Sequence, residues 1–236
     1  ELFNREGEPN VTTVDISNEM NISPGNLYYH FRGKEELVGE LFARFYAEAQ
    51  HILREPQSRR IPIGEYGYYL VVVFEHLHAY RFLYRNISLI MQRYEGIQRP
   101  FRRLIQLKRD AARTVCLQMR DAGVLRADET RIDLLARAIA LTLTYCMNFD
   151  NLLAARDDAD DQPIYDGVLQ VAALIAPYLG EAEQEFMDAA LALHAAHRQP
   201  PAAPRARLCR RQRQRCHHAR DCAPGAGHAG RRPARL

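Results

Sequence analysis

The chain has 236 residues and a mass of 27.1 kDa, and its 47% apolar and 26% charged residues are typical of a folded, water-soluble protein. The longest uncharged apolar run, Tyr68 to Phe74, is far shorter than the roughly twenty residues that cross a bilayer, which excludes a transmembrane protein. The sequence carries no export signal and its five cysteines are an odd number, so we expect a reducing, cytoplasmic setting. The chain begins inside an apolar-periodic stretch, and we expect a short segment to precede it.

The formal net charge of +3 averages two segments of opposite sign. From Arg198 onward eleven arginines face one acid, Asp221, a net of +10, which leaves −7 for residues 1–197. This tail is rich in Pro and Gly and poor in large aliphatic residues, which predicts disorder over 198–236. Its composition is typical either of a segment that binds nucleic acid non-specifically or of a GC-rich gene translated out of frame. We expect no metal site, because the following residues lack the paired spacing of structural zinc ligands: Cys209, Cys216, His217, His218, Cys222 and His228.

The spacing of apolar residues before the tail predicts an all-α fold. Apolar side chains recur at intervals of three and four, and no stretch alternates with the period of two that a strand requires. Proline and glycine predict where helices begin and end. One helix over about 35–54 ends before Pro56, and another over 100–123 has Pro100 at its first position and Gly123 at its C-terminal cap.

Two later helices are predicted to form a contact between two copies of the chain. Thr130 and Asp133 have the spacing of a capping box, which predicts a helix over about 131–155. A further helix over 164–179 carries small side chains that allow another helix to approach closely. We expect both helices to pair with their two-fold mates in a four-helix interface. The small residues are Ala172, Ala173 and Ala176.

The densest local signals lie near the N-terminus and predict a helix-turn-helix. Thr12 followed by Asp15 predicts the start of a short helix, which ends where Asn21 can adopt the left-handed conformation. Ser23 followed by Pro24 predicts the start of a second helix within three residues. So short a connection forces the two helices to cross, as a helix-turn-helix requires.

These residues resemble the N-terminal DNA-binding segment of the TetR family of bacterial transcriptional regulators. The resemblance rests on about thirty residues in register, with the runs T-T-V-D-I-S, N-I-S-P-G-N-L-Y-Y-H-F and G-K-E-E-L-V. It implies a three-helix DNA-binding unit joined to a helical-bundle domain that dimerises and holds a small inducer. We therefore predict a DNA-binding domain over 1–54, a ligand-binding and dimerisation domain over 55–197, and the tail. The run Tyr80-Arg81-Phe82 has a looser likeness to a subgroup that includes regulators of polyhydroxyalkanoate genes.

Carried over by position, the resemblance implies which side chains contact operator DNA, mostly at phosphates: Thr13, Ser23, Pro24, Gly25, Asn26, Tyr28, Tyr29, His30 and Lys34. Pro24, Gly25 and Asn26 lie nearest the base edges, because recognition helices present their N-terminal residues to the major groove. The charge of this segment disagrees with the resemblance. Residues 1–54 carry five basic side chains against nine acidic ones, a net of −4, whereas DNA-binding domains are commonly basic.

The helices predicted over 63–80 and 100–123 are rich in aromatic residues with polar tips, more than a tight core ordinarily needs. We predict that a largely apolar small molecule, such as an acyl compound, binds between these helices and lowers the affinity for DNA. A simple packed core is the alternative interpretation of the same residues. The predicted lining consists of Tyr66, Tyr69, Phe74, His76, Tyr80, Cys116 and Met119.

The sequence favours a homodimeric repressor that is released from its operator by a small molecule. Its expected partners are double-stranded DNA, the small-molecule effector and a second copy of the chain, with no membrane and no cofactor. The alternative is a helical carrier or enzyme without sequence-specific DNA binding. No nucleophile, base and orienting residue have a spacing that supports catalysis, so we predict that the protein is not an enzyme.

Overall fold

The computed structural model describes residues 1–153, 162–180 and 183–198, which form helices and turns and no strand, so the predicted all-α fold is confirmed. The predicted disordered tail lies outside the described residues, apart from Arg198. The α-helices in these ranges are α1 (Leu2–Glu6), α2 (Thr13–Glu19), α3 (Pro24–His30), α4 (Lys34–Ser58), α5 (Tyr66–Ala79), α6 (Phe82–Arg85), α7 (Ile87–Arg93), α8 (Glu95–Asp121), α9 (Glu129–Leu153), α10 (Gln162–Ile175) and α11 (Glu183–Arg198). Three short 3₁₀ helices, Glu8–Asn10, Ile63–Glu65 and Ala176–Tyr178, lie between them.

The long helix α8 is central to the bundle. It packs against both α4 and α9, while α5 packs against α4 and α10. Apolar residues recur along α8 at helical spacing, and Phe101, Leu104 and Cys116 are completely buried. Helices α4, α5, α8, α9 and α10 therefore enclose one core, and the short helices α1 to α3 precede them in the chain.

Two prolines that were predicted to bound helices lie inside them. α4 runs through Pro56, and α8 begins five residues before Pro100. A proline inside a helix removes one backbone hydrogen bond, but tertiary packing can outweigh that loss. Pro56 is buried and its carbonyl oxygen accepts a hydrogen bond from Gln118 at 2.7 Å, while Ile97, one turn before Pro100, is also buried. The predicted boundary after residue 54 therefore falls within α4.

The end of α8 matches the prediction at Gly123. This glycine has φ of +76°, the left-handed conformation that favours a residue without a side chain. Its N–H donates to the carbonyl oxygen of Arg120 at 2.8 Å, and the N–H of Val124 donates to that of Met119 at 3.0 Å. These are the two bonds of a Schellman motif, and they confirm the predicted cap.

The start of α9 differs from the prediction. Asp128, and not Thr130, caps the helix, because the N–H of Arg131 donates to the Asp128 carboxylate at 2.8 Å. The predicted partner in the cap, Asp133, instead accepts a hydrogen bond from Arg113 of α8 at 2.6 Å. The spacing of Thr130 and Asp133 therefore did not mark the cap, because the Asp133 carboxylate forms an ion pair with Arg113 of α8.

α10 approaches α5 closely at a glycine. A Cβ atom at Gly167 would lie 2.2 Å from the ring of Phe74, so no side chain fits there. The small residues Ala172 and Ala176 are 2% and 4% exposed and pack within the protomer. The prediction that these two residues form the contact between copies is therefore wrong, and of the three alanines only Ala173 is exposed.

α9 is long and apolar enough, by length and composition, to cross a membrane, and within the described ranges it is the only such helix. Half of its most apolar stretch is buried in the bundle, where it contacts α8 and α10. Its apolar composition therefore follows in part from its place in the core.

Candidate nucleic-acid interface and internal cavity

α2 begins at a capping box, as predicted. The Thr12 hydroxyl oxygen accepts the Asp15 N–H at 3.2 Å, and the Thr12 N–H donates to the Asp15 carboxylate at 2.8 Å. The hydrogen bonds from the Thr12 hydroxyl and N–H lower the pKa of the Asp15 carboxyl, because they favour its charged form. Asp15 therefore stays ionised in the first turn, where the helix dipole favours a negative charge.

A tight turn fixes the crossing of α2 and α3. Asn21 has φ of +53°, the left-handed conformation predicted for the end of α2. The Ser23 hydroxyl accepts the N–H of Asn26 at 3.2 Å, and Pro24 is the first residue of α3. Leu27 is buried and attaches α3 to the core. The remaining side chains of this short helix face solvent.

The exposed side of α3 carries most of the residues predicted to contact DNA. Tyr29 is 85% exposed and Tyr28 is 52% exposed. The hydroxyl groups of Tyr28 and Thr13 lie 3.2 Å apart, which links α3 to α2 at this surface. The ring of His30 lies edge-on to that of Tyr29, with 5.1 Å between ring centres. We call the following residues the α3 face: Thr13, Ser23, Pro24, Gly25, Asn26, Tyr28, Tyr29 and His30.

Gly25 has no reason within the protomer to lack a side chain. A Cβ atom at this position would meet nothing nearer than the Ser23 hydroxyl oxygen at 4.0 Å, and its φ is negative. Glycine costs a helix about 1 kcal/mol relative to alanine. The contacts within the protomer therefore do not explain the glycine.

Lys34 has a partner other than the predicted phosphate. Its Nζ lies 2.7 Å from a carboxylate oxygen of Glu8 and also donates to the Glu8 carbonyl oxygen. The Lys34 side chain is 16% exposed and that of Glu8 only 1%. The Tyr94 hydroxyl donates to the same carboxylate. Because a buried carboxylate requires a counter-charge, Lys34 neutralises Glu8, which corrects the predicted phosphate contact.

Ion pairs also occupy other cations in residues 1–54: Arg5 pairs with Glu6 and Glu19, and Arg44 pairs with Glu48. Arg32 and Arg54 are exposed and have no ion pair with any residue that the structure describes, and of the two only Arg32 is close to α3. It lies two residues beyond the end of α3. Arg32 was not among the predicted contacts, although a cation next to a predicted recognition helix is a signal that could have identified it.

α1 connects the helix-turn-helix to the bundle. The side chain of Asn4 donates to the carbonyl oxygen of Ala79 at 2.7 Å and accepts the N–H of Phe82 at 3.1 Å. The rings of Phe3 and Phe82 lie 5.3 Å apart, and Arg85 donates to the Asn4 carbonyl oxygen at 2.9 Å. A shift at the junction of α5 and α6 would therefore move α1.

A small internal cavity lies among α5, α8, α9 and α10. Its volume is about 40 Å³, and most of its lining is apolar. Four of the predicted ligand residues line this cavity: Tyr66, Tyr69, Cys116 and Met119. The structure thus brings together the two predicted lining residues of α8, Cys116 and Met119, and the two of α5 that face them, Tyr66 and Tyr69.

The other three predicted ligand residues lie elsewhere, because the helical period turns them away from the cavity. Phe74 packs against α10. His76 Nε2 lies 3.1 Å from the carbonyl oxygen of Phe45 in α4, and the two rings stack with centres 5.0 Å apart. The Tyr80 hydroxyl donates to Glu48 at 3.2 Å. Burial lowers the pKa of His76, which favours a neutral ring in this contact with α4.

Lys108 is a lining residue that the sequence analysis missed. It is completely buried, and its Nζ donates to the Leu143 carbonyl oxygen at 2.7 Å and to the Tyr84 hydroxyl at 3.1 Å. It makes no ion pair with any described residue. Burial lowers the pKa of the Lys108 ammonium to about 7. The predicted lining did not include Lys108, although the residue lies four positions after the buried Leu104 and four before the buried Ala112, on the buried stripe of α8.

An open groove adjoins the cavity between α5, α10 and α11. Its volume is about 550 Å³. Tyr66, Leu70, Met119 and Phe186 line both the cavity and the groove, so these side chains separate the two spaces. Asp166 of α10 accepts a hydrogen bond from His194, which helps to hold α11 beside the groove.

One face of α9 exposes large apolar side chains. They recur at intervals of seven, four, four and three residues, so they follow one side of the helix. Each is between 45% and 76% exposed, and such a continuous patch is unusual on a monomeric protein. We call this patch the α9 stripe: Leu134, Leu141, Tyr145, Phe149 and Leu152.

In the part of the chain that the structure describes, no three His, Cys, Asp or Glu side chains are grouped as metal ligands. Cys116 and Cys146 are free and buried. Burial raises the pKa of Cys116 to about 12 and that of Cys146 to about 11. Both thiols therefore remain protonated and weakly reactive.

Comparisons with known proteins agree with this architecture. Residues 1–41 match the model of bacterial regulatory proteins of the tetR family, and residues 44–186 match a model described as bacterial transcriptional repressor. The chain is similar to a TetR-family transcriptional regulator from Marinobacter aquaeolei VT8, whose crystal structure gives a TM-score of 0.70 at 30% sequence identity. That match covers 84% of this chain and 94% of the other. Comparison with curated protein sequences gives no match.

Proposed function

The chain belongs to the TetR family of bacterial transcriptional regulators, and we propose that it is a cytoplasmic repressor that a small, largely apolar molecule releases from its operator. In this proposal residues 1–54 bind double-stranded DNA. Residues 55–197 bind the effector and a second copy of the chain.

The observation that carries the proposal is the α3 face. Pro24, Gly25 and Asn26 at the start of α3 contact base edges, since a recognition helix enters the major groove by its N-terminal end. The bare Gly25 supports this arrangement, because nothing inside the protomer needs the space. The hydroxyl and imidazole groups of the same face contact phosphates and fix the register on the duplex. The proposed phosphate contacts are Thr13, Ser23, Tyr28, Tyr29 and His30.

Arg32 takes the place of Lys34 among the proposed contacts. The net charge of −4 over residues 1–54 disfavours DNA binding, but paired charges largely cancel one another at a distance. What matters is the local potential at the α3 face. The exposed Arg32 guanidinium contributes a positive potential there.

A second copy of the chain covers the α9 stripe in this proposal. Large apolar side chains gain roughly 25 cal/mol for each Å² that is removed from water. A two-fold contact buries the same stripe on both copies, and it sets a fixed distance between the two α3 faces. That distance must match the spacing of two DNA half-sites.

The effector acts through the helices that line the cavity. A molecule that separates α5 from α8 moves the end of α5, where Ala79 and Phe82 hold the side chain of Asn4. Such a displacement tilts α1 and the α3 face away from the spacing that the operator requires. A hundredfold preference of the effector for that state supplies about 2.7 kcal/mol, which is sufficient for a switch.

A gel-shift assay with the DNA that flanks the protein's own gene tests this function. We expect a band that competing scrambled DNA does not remove, and Asn26→Ala is expected to reduce the preference for the specific sequence about tenfold or more. Asn18→Ala, an exposed asparagine of α2, is the matched control and should leave that preference unchanged. The alternative, a helical carrier or enzyme without sequence-specific DNA binding, predicts that specific and scrambled DNA compete equally.

A further inference from the structure

We propose that the effector is an amphiphile with one apolar chain and one anionic group such as a carboxylate, and that Lys108 and Tyr69 bind the anionic group inside the bundle. This inference rests on the proposed effector role of the cavity. It specifies the chemical class of the molecule and the two side chains that recognise it.

The first support is the environment of Lys108. Its side chain lines the cavity and is completely buried. The acceptors around its Nζ are all neutral: the Leu143 carbonyl oxygen at 2.7 Å, the Tyr84 hydroxyl at 3.1 Å and the Thr144 hydroxyl at 3.5 Å. A buried ammonium without a counter-ion is unfavourable, which is why its pKa falls to about 7. A ligand carboxylate beside Nζ supplies the missing negative charge.

The choice of lysine at this position supports the same assignment. The sequence holds two lysines, Lys34 and Lys108, among 32 basic residues. Lys34 is paired with the Glu8 carboxylate, whereas Lys108 has no such partner among the described residues. Arginine keeps its charge when buried, but lysine can release a proton. An amine can therefore stay in the cavity when the anion is absent and become charged when the anion binds.

The second support is the Tyr69 hydroxyl. Tyr69 lines the same cavity, its side chain is 9% exposed, and its hydroxyl has no hydrogen-bond partner among the described residues. A buried hydroxyl that makes no hydrogen bond is costly to a protein. A carboxylate has two oxygens, so one can accept the Tyr69 O–H and the other can lie against the Lys108 ammonium. The other polar groups of the lining are the Tyr66 hydroxyl and the Cys116 thiol, and the remaining side chains are apolar.

The adjoining groove accounts for the apolar chain of the ligand. The cavity, at about 40 Å³, holds only a small head group. The groove, at about 550 Å³, is lined mainly by apolar side chains of α5, α10 and α11. Tyr66, Leu70, Met119 and Phe186 border both spaces. An extended hydrocarbon chain therefore lies in the groove and passes between these side chains, while its anionic end reaches Lys108.

Calorimetric titration with sodium decanoate and decan-1-ol, which have the same chain length, tests the proposal without DNA. We expect the intact protein to bind decanoate at least about tenfold more tightly than decanol, the equivalent of 1.4 kcal/mol. Lys108→Met should weaken decanoate binding about tenfold or more and leave decanol binding unchanged. Tyr69→Phe, which removes only an unpartnered hydroxyl, should weaken decanoate binding severalfold. Arg103→Met removes one exposed charge of α8 and should change neither affinity.

Equal binding of the two compounds to the intact protein overturns the proposal, as does full retention of decanoate binding in both cavity variants. NMR spectra of protein labelled with ¹³C at lysine Cε add a readout that needs no variant, because there are two lysines. Decanoate should shift the signal of Lys108 and leave that of Lys34 unchanged, whereas shifts in neither signal or in Lys34 alone contradict the site. A negative result in these binding experiments would not change the gel-shift result, so failure of this inference is distinguishable from failure of the proposed function.

Discussion

Tyr29 is the proposed DNA contact whose substitution is least expected to affect folding. It is 85% exposed, and its ring contacts only that of His30 among the described aromatic pairs. We expect Tyr29→Ala to weaken binding to all DNA sequences about equally, by roughly five- to tenfold for one lost phosphate hydrogen bond. Fluorescence anisotropy with specific and scrambled DNA measures this, with thermal unfolding as a check of the fold. The control is Tyr68→Ala, a 73% exposed tyrosine of α5; a loss of equal size there, or none at Tyr29, contradicts the assignment.

Lys34 is expected to affect stability more than DNA binding. Lys34→Met leaves the buried Glu8 carboxylate without its main counter-charge, a change that typically costs about 3–5 kcal/mol. The melting temperature should fall, and adding Glu8→Gln to the variant should restore part of the loss. The dependence of DNA affinity on salt should stay the same. A stable variant whose salt dependence decreases by about one counter-ion would instead identify Lys34 as a phosphate contact.

Lys108 predicts a dependence of stability on pH. Because its pKa falls to about 7 in the folded protein, the unfolded chain binds more protons than the folded one above that pH. The free energy of unfolding should therefore rise from pH 7 upward, by up to about 1.4 kcal/mol per unit. The surrounding Tyr84, Cys146 and His76 are uncharged from about pH 7 to 8.5, so they add little in this window. The free energy of unfolding, measured in urea, should rise with pH for the intact protein and not for Lys108→Met across this pH range. Parallel plots of the free energy of unfolding against pH would contradict the prediction.

At the scale of the helices, the sequence predicted the starts of α2 and α3 correctly, because the deciding contacts are local. Thr12 with Asp15 and Ser23 with Asn26 are caps whose two partners lie three residues apart. The predictions failed where the deciding contact is distant in sequence. Pro56 is held by Gln118, 62 residues away, and no local pattern contains that contact.

The cavity was predicted in part for the same reason. The helical period places Tyr66 and Tyr69 on one side of α5, but the sequence cannot specify which neighbour each side of a helix faces. His76 and Tyr80 were therefore predicted to line the cavity, although they contact α4 instead. Lys108 was missed because its burial depends on the way α8 packs between α4 and α9.

The α9 stripe gives a prediction about assembly. Leu141→Arg places a charge in the proposed contact between copies, so we expect monomers by light scattering and a much lower operator affinity, with the helical content unchanged. Leu141 is 60% exposed in the protomer, so the substitution does not disturb the core. Leu89→Arg, at an exposed leucine of α7, is the matched control and should remain dimeric. An unchanged dimer for Leu141→Arg would exclude the stripe from the interface.

At the scale of the whole molecule, three surfaces depend on one another through short connections. The cavity lies between α5 and α8, the α9 stripe lies on the helix packed against α8, and the α3 face is joined to the bundle through α1. In the proposed mechanism, a small displacement of α5 reaches the DNA-binding unit through α1 without passing through the proposed interface between copies. This arrangement fits the proposed regulator, in which the dimer stays intact while its two α3 faces change their spacing.

Footprinting of the gene-flanking DNA tests the central claim, that two copies of the chain read DNA through the α3 face. We predict protection of two half-sites related by two-fold symmetry, with centres separated by one or more helical turns, about 34 Å each. The protection should disappear with Tyr29→Ala and Leu141→Arg at concentrations where the intact protein protects fully, and it should persist with Tyr68→Ala. A single asymmetric footprint, or protection that does not depend on sequence, would contradict the account.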